Sequence, residues 1–135
     1  MEALAQVGMR PPPGMVRFGN WHADSGYEET RKVLALKKPP TALVCGNDRM
    51  ALGAYDAVKE AALRIPEDIS VIGYDDQEEI ASFTRPPLTT VRIPYYEMGG
   101  LAAALVLDGR HGGRVMLECS PVVRGSLGPP PAGRY

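Results

Sequence analysis

The sequence predicts an α/β fold in which helices cover a doubly wound, mostly parallel sheet. Short runs of β-branched residues alternate with helical patterns of roughly ten to fifteen residues, an order typical of parallel βαβ units. Polar and aromatic residues directly follow several of the predicted strands, and open α/β sheets bind ligands at that edge. The fold class therefore also predicts where a binding site lies.

The amino-terminal part is predicted to contain the end of a helix and one short strand. Residues 1–9 have helical character that stops near Gly8, and the proline run after them favours an extended loop. Residues 15–19 alternate apolar and polar side chains, as a half-buried strand does. Trp21 and His22 follow this strand, so they lie where ligands often meet such sheets.

A helix and a strand are predicted next. Ser25 and Glu28 have the spacing of a capping box, which places the helix start at Ser25. Lys37 and Lys38 fit the last turn of this helix, before two prolines end it. Residues 41–45 then have the composition of a buried strand.

The next helix is predicted to be capped by Asn47 or Asp48 and to run to about Arg64. Pro66 disfavours helical geometry in the residue before it, which sets that limit. The apolar and small residues of this helix form two stripes, so a second side is open to close packing. The first stripe contains Ala51, Tyr55, Val58 and Ala62, and the second contains Met50, Ala54, Ala57 and Ala61.

Two further strands are predicted in the second half. Residues 69–73 are rich in β-branched side chains and lead directly into Asp75 and Asp76 at the predicted ligand-binding edge. Residues 88–93, rich in Thr and Val, form the other strand and are closed by Pro94.

The carboxyl-terminal part is predicted to hold one apolar helix, two short strands and a loose tail. Gly109 ends the helix, and residues 115–117 and 121–124 are the strands. Residues 128–135 are rich in proline and glycine and form the tail. The apolar face of the helix contains Met98, Leu101, Ala102 and Leu105.

Composition is that of one ordinary globular domain. The 135 residues include 44% hydrophobic and 23% charged side chains, and the net charge of −1 offers no broad attraction for nucleic acid. Cys45 and Cys119 are far apart, so neither a disulfide framework nor a zinc site is predicted, and both fit small core positions. No apolar run spans a membrane and no leader pattern is present, which predicts a cytoplasmic location without a membrane partner.

The sequence predicts neither catalytic residues nor a metal site nor a cofactor. His22 and His111 have no partners at metal-ligand or catalytic-triad spacing, so both are interpreted as loop residues. Glycine-rich phosphate-binding motifs and a nucleophile elbow are also absent. The chain is therefore predicted not to be an enzyme.

Six short motifs occur in an order and spacing that resemble the LacI/GalR transcription repressors. Together they span roughly residues 15–126, and they are specific jointly rather than singly. The motifs are Ser25-Gly26-Tyr27, Pro40-Thr41-Ala42, Gly46-Asn47-Asp48 with Met50-Ala51-Leu52-Gly53, Ile65-Pro66-Glu67-Asp68-Ile69-Ser70-Val71-Ile72-Gly73-Tyr74-Asp75-Asp76, Arg85-Pro86-Pro87-Leu88-Thr89-Thr90-Val91 and Val123-Arg124-Gly125-Ser126.

The resemblance implies a fold like that of periplasmic sugar-binding proteins, with two α/β subdomains that close on a small effector. Family members carry a helix-turn-helix that reads operator DNA, and this chain is expected to lack it, together with most of the first subdomain. Residues 1–127 are then part of an effector-binding and dimerisation domain, and helix 95–109 would belong to the first subdomain. Operator DNA becomes a partner only through the missing part.

The resemblance also implies ligand-binding residues, each with a plainer alternative. Trp21 would stack on the apolar face of a sugar, or it is an ordinary aromatic. Asn47, Asp48 and Asp75 would hydrogen-bond to ligand hydroxyls, although Asn47 or Asp48 equally well caps a helix. Tyr95 would line the cleft. Half a cleft is expected to bind sugars only weakly.

Relatives in this family pair as dimers, so we predict a homodimer through the second helical stripe and a nearby segment. Small side chains allow close approach of two helices around a two-fold axis. The predicted interface consists of Met50, Ala54, Ala57, Ala61, Ile80, Ser82, Phe83 and Thr84.

The chain is therefore predicted to be the ligand-sensing and dimerisation part of a LacI-type repressor. One alternative is a periplasmic sugar-binding protein of a transporter, which needs an export signal. Another is a phosphotransfer receiver, in which Asp48, Asp75 and Asp76 would hold Mg²⁺. A receiver also needs a late-strand lysine, where strand 88–93 offers only Arg92.

Overall fold

The computed structural model describes residues 2–109 and 112–132, so His111 lies outside the described residues. Helices and strands alternate through most of this part of the chain, as predicted. The helices are α1 Glu2–Gln6, α2 Ala23–Leu34, α3 Asp48–Glu60, α4 Glu78–Ala81 and α5 Tyr95–Leu107, and the strands are β1 Ala42–Val44, β2 Ser70–Ile72, β3 Thr90–Arg92 and β4 Ser120–Val122.

The strands form a mostly parallel arrangement in the order β1, β2, β3, β4. β1 and β2 pair in parallel, with Leu43 opposite Val71. A parallel bridge between Ile72 and Thr89 continues this arrangement to β3, which pairs with β4 in the antiparallel sense. The predicted α/β fold with a mostly parallel sheet is confirmed.

The core lies where α3 packs on β2. Val58 and Val71 are fully buried, and the buried Tyr55 donates from its hydroxyl to the carbonyl oxygen of Pro86 at 2.9 Å. This bond satisfies the polar end of an otherwise apolar side chain. Cys45 packs against the same cluster, and burial raises the pKa of its thiol to about 12. The buried cluster comprises Ala51, Tyr55, Val58, Ile65, Ile69, Val71, Ala81 and Leu88.

Glycines allow α2 and α3 to approach each other closely. A Cβ atom at Gly53 would lie 1.8 Å from the carbonyl oxygen of Ala23, and one at Gly26 would lie 2.1 Å from that of Met50. Both obstacles are backbone atoms, which cannot swing aside as a side chain does. The small-residue stripe of α3 is therefore used inside the chain.

The start and end of α2 differ from the prediction. The cap is His22, three residues earlier than predicted, and Ser25 lies inside the first turn, where its hydroxyl donates to the His22 carbonyl at 2.9 Å. The capping-box prediction is wrong because Ser25 also accepts the amide of Asn20 at 3.0 Å, which ties it to the preceding loop. The helix ends at Leu34, before both lysines at 37 and 38.

Two predicted strands are absent from the described residues. Residues 15–19 and 115–117 run as turn or coil, because neither segment meets a neighbouring strand that could satisfy its backbone groups. The strand predicted as buried at 41–45 is present as β1, but Val44 is 80% exposed. α3 ends at Glu60 rather than near Arg64.

Helix α5 is present as predicted, and none of its residues is buried. Gly109 follows it at φ +63°, a left-handed conformation that favours glycine and ends helices. On the predicted apolar face Met98 is 45% exposed, and Leu101 and Leu105 are partly exposed, so this face is not packed into the core. The predicted loose tail begins with one fixed residue, because the Gly128 amide donates to the Ser70 hydroxyl at 3.1 Å. Within the described residues, no helix is long and apolar enough to cross a membrane.

Candidate functional site

The carboxyl ends of β1, β2 and β3 meet at one edge, and this edge carries the candidate site. The amide of Asp48, after β1, donates to the Tyr74 carbonyl after β2 at 2.9 Å. The amide of Asp75 donates to the Val91 carbonyl of β3 at the same distance. These bonds hold the loops after β1 and β2 side by side.

Trp21 presents its ring at this edge. The residue is 63% exposed, and its backbone has φ +71°. A Cβ atom at Gly46 would lie 3.0 Å from the ring, so the absence of a side chain there lets the indole lie close to the loop after β1. The Asn47 side chain donates to the Trp21 carbonyl at 3.0 Å. Trp21 is thus a fixed surface aromatic and not a core residue.

Asn47 caps α3, which confirms the helix-cap alternative. Its side-chain oxygen accepts the amide of Met50 at 2.8 Å, and its side-chain nitrogen binds the Trp21 carbonyl. The cap and the aromatic residue are therefore coupled through one side chain. A ligand contact by Asn47 stays a prediction.

Asp48 is fully buried, which contradicts its predicted contact with a ligand. One carboxylate oxygen accepts from the Thr90 hydroxyl at 2.6 Å, and the other accepts from the Gln77 amide at 2.7 Å. Burial raises the pKa of this carboxyl group, while these two hydrogen bonds act to lower it. Asp48 joins α3, β3 and the loop after β2, and its full burial within the chain leaves neither oxygen exposed to a ligand.

Asp75 and Tyr95 line a cavity of about 430 Å³ at the same edge. Asp75 has φ +114°, and its Oδ2 accepts from the side-chain nitrogen of Gln77 at 3.0 Å. Tyr95 is 61% exposed, and burial of its hydroxyl together with the Asp75 carboxylate raises its pKa. The structure thus brings both predicted residues to one concave surface.

Asp76 is a structural residue of this edge. Its carboxylate lies 2.7 Å from Arg92 and 2.7 Å from Arg124, and its side chain is 6% exposed. Burial acts to raise the pKa of this carboxyl group, but the two arginines hold it below its usual range. Sequence reasoning missed Gln77 and Arg124 because their partners lie far along the chain, Asp48 at 29 residues from Gln77 and Asp76 at 48 residues from Arg124, and no local spacing marks such contacts.

A second and larger cavity, about 880 Å³, lies between α2 and the free edge of β1. Val33 and Leu43 contribute to its mostly apolar lining, and its charged residues include Glu29 paired with Arg17 at 2.6 Å. We place the candidate site at the smaller cavity because it joins ionisable and aromatic side chains at strand ends. The described residues contain no group of three side chains suited to a metal.

The predicted dimer interface needs correction. Ala54 is fully buried, Ala57 is 2% exposed and Thr84 is 7% exposed within a single chain, so none offers a contact surface. Their stripe of α3 packs inward, as the close approach of α2 shows. Met50 also faces this packing, since a Cβ atom at Gly19 would lie 2.5 Å from its terminal methyl group.

Near α4, beside the exposed Glu78 and Glu79, apolar side chains remain exposed instead. Phe83 is 68% exposed and Leu52, which the sequence analysis did not select, is 38% exposed. Ile80, Ser82 and Ala61 retain partial or full exposure. α3 and α4 pack against each other, and we term the exposed or partly exposed apolar residues of this region, Leu52, Ile80 and Phe83, the α4 patch.

The α/β fold, with a candidate site at the carboxyl ends of its strands, defines a periplasmic binding protein-like domain. The model of that family matches residues 1–127. Within it, the chain belongs to the LacI/GalR transcription regulators, as the effector-binding part. The HTH-type transcriptional repressor CytR of Escherichia coli strain K12 is 37% identical over 131 residues. This alignment covers 93% of the chain and 38% of that repressor. The ribose operon repressor of the same strain is 41% identical over 105 residues, covering 78% of the chain and 32% of that protein.

Solved structures agree with this assignment. The transcriptional regulator CelR in complex with cellobiose superposes with a TM-score of 0.84 at 34% identity, covering 93% of this chain and 39% of that one. The Lac repressor dimer bound to operator and the anti-inducer ONPF gives a TM-score of 0.82 at 35% identity, with 93% and 44% covered. These matches favour the regulator over the transporter and receiver alternatives. The chain spans about two fifths of the length of such relatives.

Proposed function

We propose that this chain is the effector-sensing and dimerisation part of a LacI-type repressor, with a sugar or a related hydroxyl-rich molecule as effector. The observation that carries the proposal is that Asn47 holds Trp21 at the carboxyl end of β1, while Asp75 lines a cavity at the carboxyl end of the neighbouring β2. An aromatic face suits the apolar face of a sugar ring, and a carboxylate accepts hydrogen bonds from its hydroxyls.

The chemistry of the edge supports this effector class. Asp75 and Tyr95 offer an acceptor and a phenol beside one cavity, and Asn47 stands next to Trp21. Arg92 lines the cavity but already pairs with Asp76, so it is less suited to hold an anionic ligand. Two relatives point the same way, since one is named for the ribose operon and the other is solved with cellobiose.

The remaining features are proposed with it. The chain acts by binding rather than catalysis, in the cytoplasm, and operator DNA is contacted only by parts of the protein outside this chain. Two copies pair through the α4 patch, with Ala61 and Ser82 beside it. The related Lac repressor is described as a dimer bound to its operator, which supports the proposed pairing of two copies and the proposed link to operator DNA.

The effector proposal is tested by titrating the chain with D-ribose and cellobiose while Trp21 fluorescence is followed. Trp21 is the single tryptophan, so any change reports on this edge. Because one wall of a cleft leaves a ligand face in water, we expect dissociation constants in the millimolar range. Asp75→Asn should weaken binding, and Asp56→Asn on the exposed side of α3 serves as the matched control. Micromolar binding that Asp75→Asn leaves unchanged would place the site elsewhere.

A further inference from the structure

Asp75 has a backbone geometry that needs support from its neighbours. Its φ of +114° lies in a region that residues with a side chain rarely adopt, and the following Asp76 also has positive φ, at +57°. Such conformations persist where surrounding contacts fix them. The amide of Asp75 is bound to the Val91 carbonyl, so the remaining freedom is that of its carboxylate.

Gln77 is held at its backbone by two different elements. Its amide donates to the buried Asp48 at 2.7 Å, and its carbonyl accepts the amides of Ile80 and Ala81 in α4 at 3.0 Å and 2.7 Å. The side chain therefore starts from a fixed point between α3 and α4. Only its own torsions determine where its amide group ends.

The oxygen and the nitrogen of the Gln77 side-chain amide each have a partner that can take only one role in a hydrogen bond. Its oxygen accepts from the Arg49 guanidinium at 3.4 Å, and its nitrogen donates to Oδ2 of Asp75 at 3.0 Å. A guanidinium can only donate and a carboxylate can only accept, so the amide cannot be reversed without losing both contacts. Within the described part of the chain, Oδ1 of Asp75 receives no hydrogen bond.

We propose that Gln77 is a positioning residue for Asp75, holding Oδ2 so that Oδ1 faces the cavity as the acceptor for an effector hydroxyl. This inference rests on the proposed function. Asp75 then has one acceptor atom available to an effector, Oδ1, and the side chain of Gln77 determines its orientation. The same contact links the effector edge to α4, which carries Ile80 of the α4 patch.

The contact is tested without any effector, by NMR of protein labelled with ¹⁵N in glutamine side chains. The sequence contains two glutamines, so the exposed Gln6 of α1 is an internal reference for a solvated amide. We expect the Gln77 amide protons to be displaced from those of Gln6 and to exchange more slowly with water. Asp75→Gly keeps the positive φ of this residue and removes the acceptor, so it should move them to the Gln6 positions. Matching resonances in the wild type, or indifference to Asp75→Gly, would overturn the proposed contact.

Binding of D-ribose and cellobiose tests the consequence for the site. Gln77→Met removes both polar ends at similar length, and we expect it to raise the dissociation constant about tenfold, as loss of a hydrogen bond to a charged group does. Gln77→Glu places an acceptor against Oδ2 and should weaken binding further. Adding Asp75→Asn to Gln77→Glu restores the pair with reversed polarity, and this double variant should not recover full affinity. In protein labelled with ¹⁵N in asparagine side chains, the amide at position 75 should then show the displaced shift and slow exchange of a bonded amide.

The outcomes separate the two proposals. An unchanged dissociation constant in Gln77→Met, with thermal unfolding also unchanged, overturns the positioning of Asp75 by Gln77. Full recovery of affinity in the double variant also overturns it, because the carboxylate would then be dispensable. Wild-type protein that binds neither sugar contradicts the proposed effectors, while the glutamine resonances still decide whether Gln77 holds Asp75.

Discussion

At the scale of single residues, two adjacent aspartates differ in role because their neighbours differ. Asp75 faces a cavity, whereas the next residue, Asp76, is enclosed by Arg92 and Arg124. Asp48 is more deeply buried than either and binds only protein groups. Three carboxylates at one sheet edge therefore divide into one available acceptor and two structural anchors.

The ion pairs of Asp76 predict a pH-dependent stability. Its folded pKa is lowered, so its contribution is fully present above the unfolded value of about 3.9 and is lost as pH falls through the lower folded value. We expect Asp76→Asn to cost roughly 2 kcal/mol in urea unfolding at neutral pH, because one side of both pairs becomes uncharged. The difference from wild type should shrink below about pH 4.

Asp56→Asn is the matched control for this measurement, since Asp56 lies on the exposed side of α3. It should leave the unfolding free energy nearly unchanged at both pH values. A cost for Asp76→Asn that stays constant from neutral to strongly acidic pH would contradict the assigned ion pairs.

At the scale of elements, α3 determines most of the architecture. One side packs on β2, another is pressed against α2 across Gly53, and its cap residue Asn47 holds Trp21 at the candidate site. Arg49 extends from its first turn toward Gln77. A single helix thus links the core, the α2 packing and the candidate site.

The close packing of α2 on α3 makes Gly53→Ala disruptive. Its Cβ atom would overlap the backbone oxygen of Ala23, and we expect a loss of about 3 kcal/mol in unfolding free energy. Gly100→Ala on α5 is the matched control, because nothing lies within 4 Å of its new Cβ atom. That change should be neutral or stabilising by up to about 1 kcal/mol. Equal effects of the two substitutions would show that α2 does not press on α3.

The exposed α4 patch makes a separate prediction about assembly. We expect light scattering to report a dimer of the wild-type chain at micromolar concentrations and a monomer for Phe83→Asp, since an unpaired charge in an apolar interface is costly. Leu107→Asp on α5 removes an even more exposed apolar side chain outside the patch and should leave the dimer intact. A wild-type monomer, or dissociation by Leu107→Asp alone, would contradict pairing through the α4 patch.

Ala54→Arg should unfold the chain, because Ala54 is buried within it.

At the scale of the whole molecule, burial is uneven. The cluster around Tyr55 and Leu88 is fully enclosed, but Val44 on β1 and Leu107 on α5 are more than three quarters exposed. α5 has apolar residues around its whole circumference and no buried one. Stability is therefore concentrated around α3 and β2.

Hydrogen exchange measures this distribution directly. Amides of α5 are held by helical bonds with little tertiary packing, so we expect them to exchange at least about a hundredfold faster than those of α3. Val58 and its neighbours in the core should be the slowest. Protection of α5 equal to that of α3 would mean that another surface covers it in solution, and dilution would then distinguish a second copy from an intramolecular contact.

Several features were predictable because their causes are local. Strands at 69–73 and 88–93 follow from β-branched runs, α5 follows from a helical apolar face, and the cap by Asn47 follows from side-chain chemistry. The residues after these strands were correctly placed at one edge, because parallel strands direct their carboxyl ends to the same side. The family motifs added Trp21, Asp75 and Tyr95 as site predictions.

Local pattern by itself determined the fold class and the strand-end edge that carries the candidate site, because periodicity, capping and turn chemistry act within a few residues. The family followed from the resemblance of six motifs taken together. Only the tertiary structure decided which polar and small residues face inward. It buried Asp48 with Thr90 and Gln77, joined Asp76 to Arg124 across 48 residues, and turned Ala54 and Ala57 toward the interior. It also left residues 15–19 without a strand partner. Burial and pairing depend on which distant segments meet, and that information does not lie in the spacing of neighbouring residues.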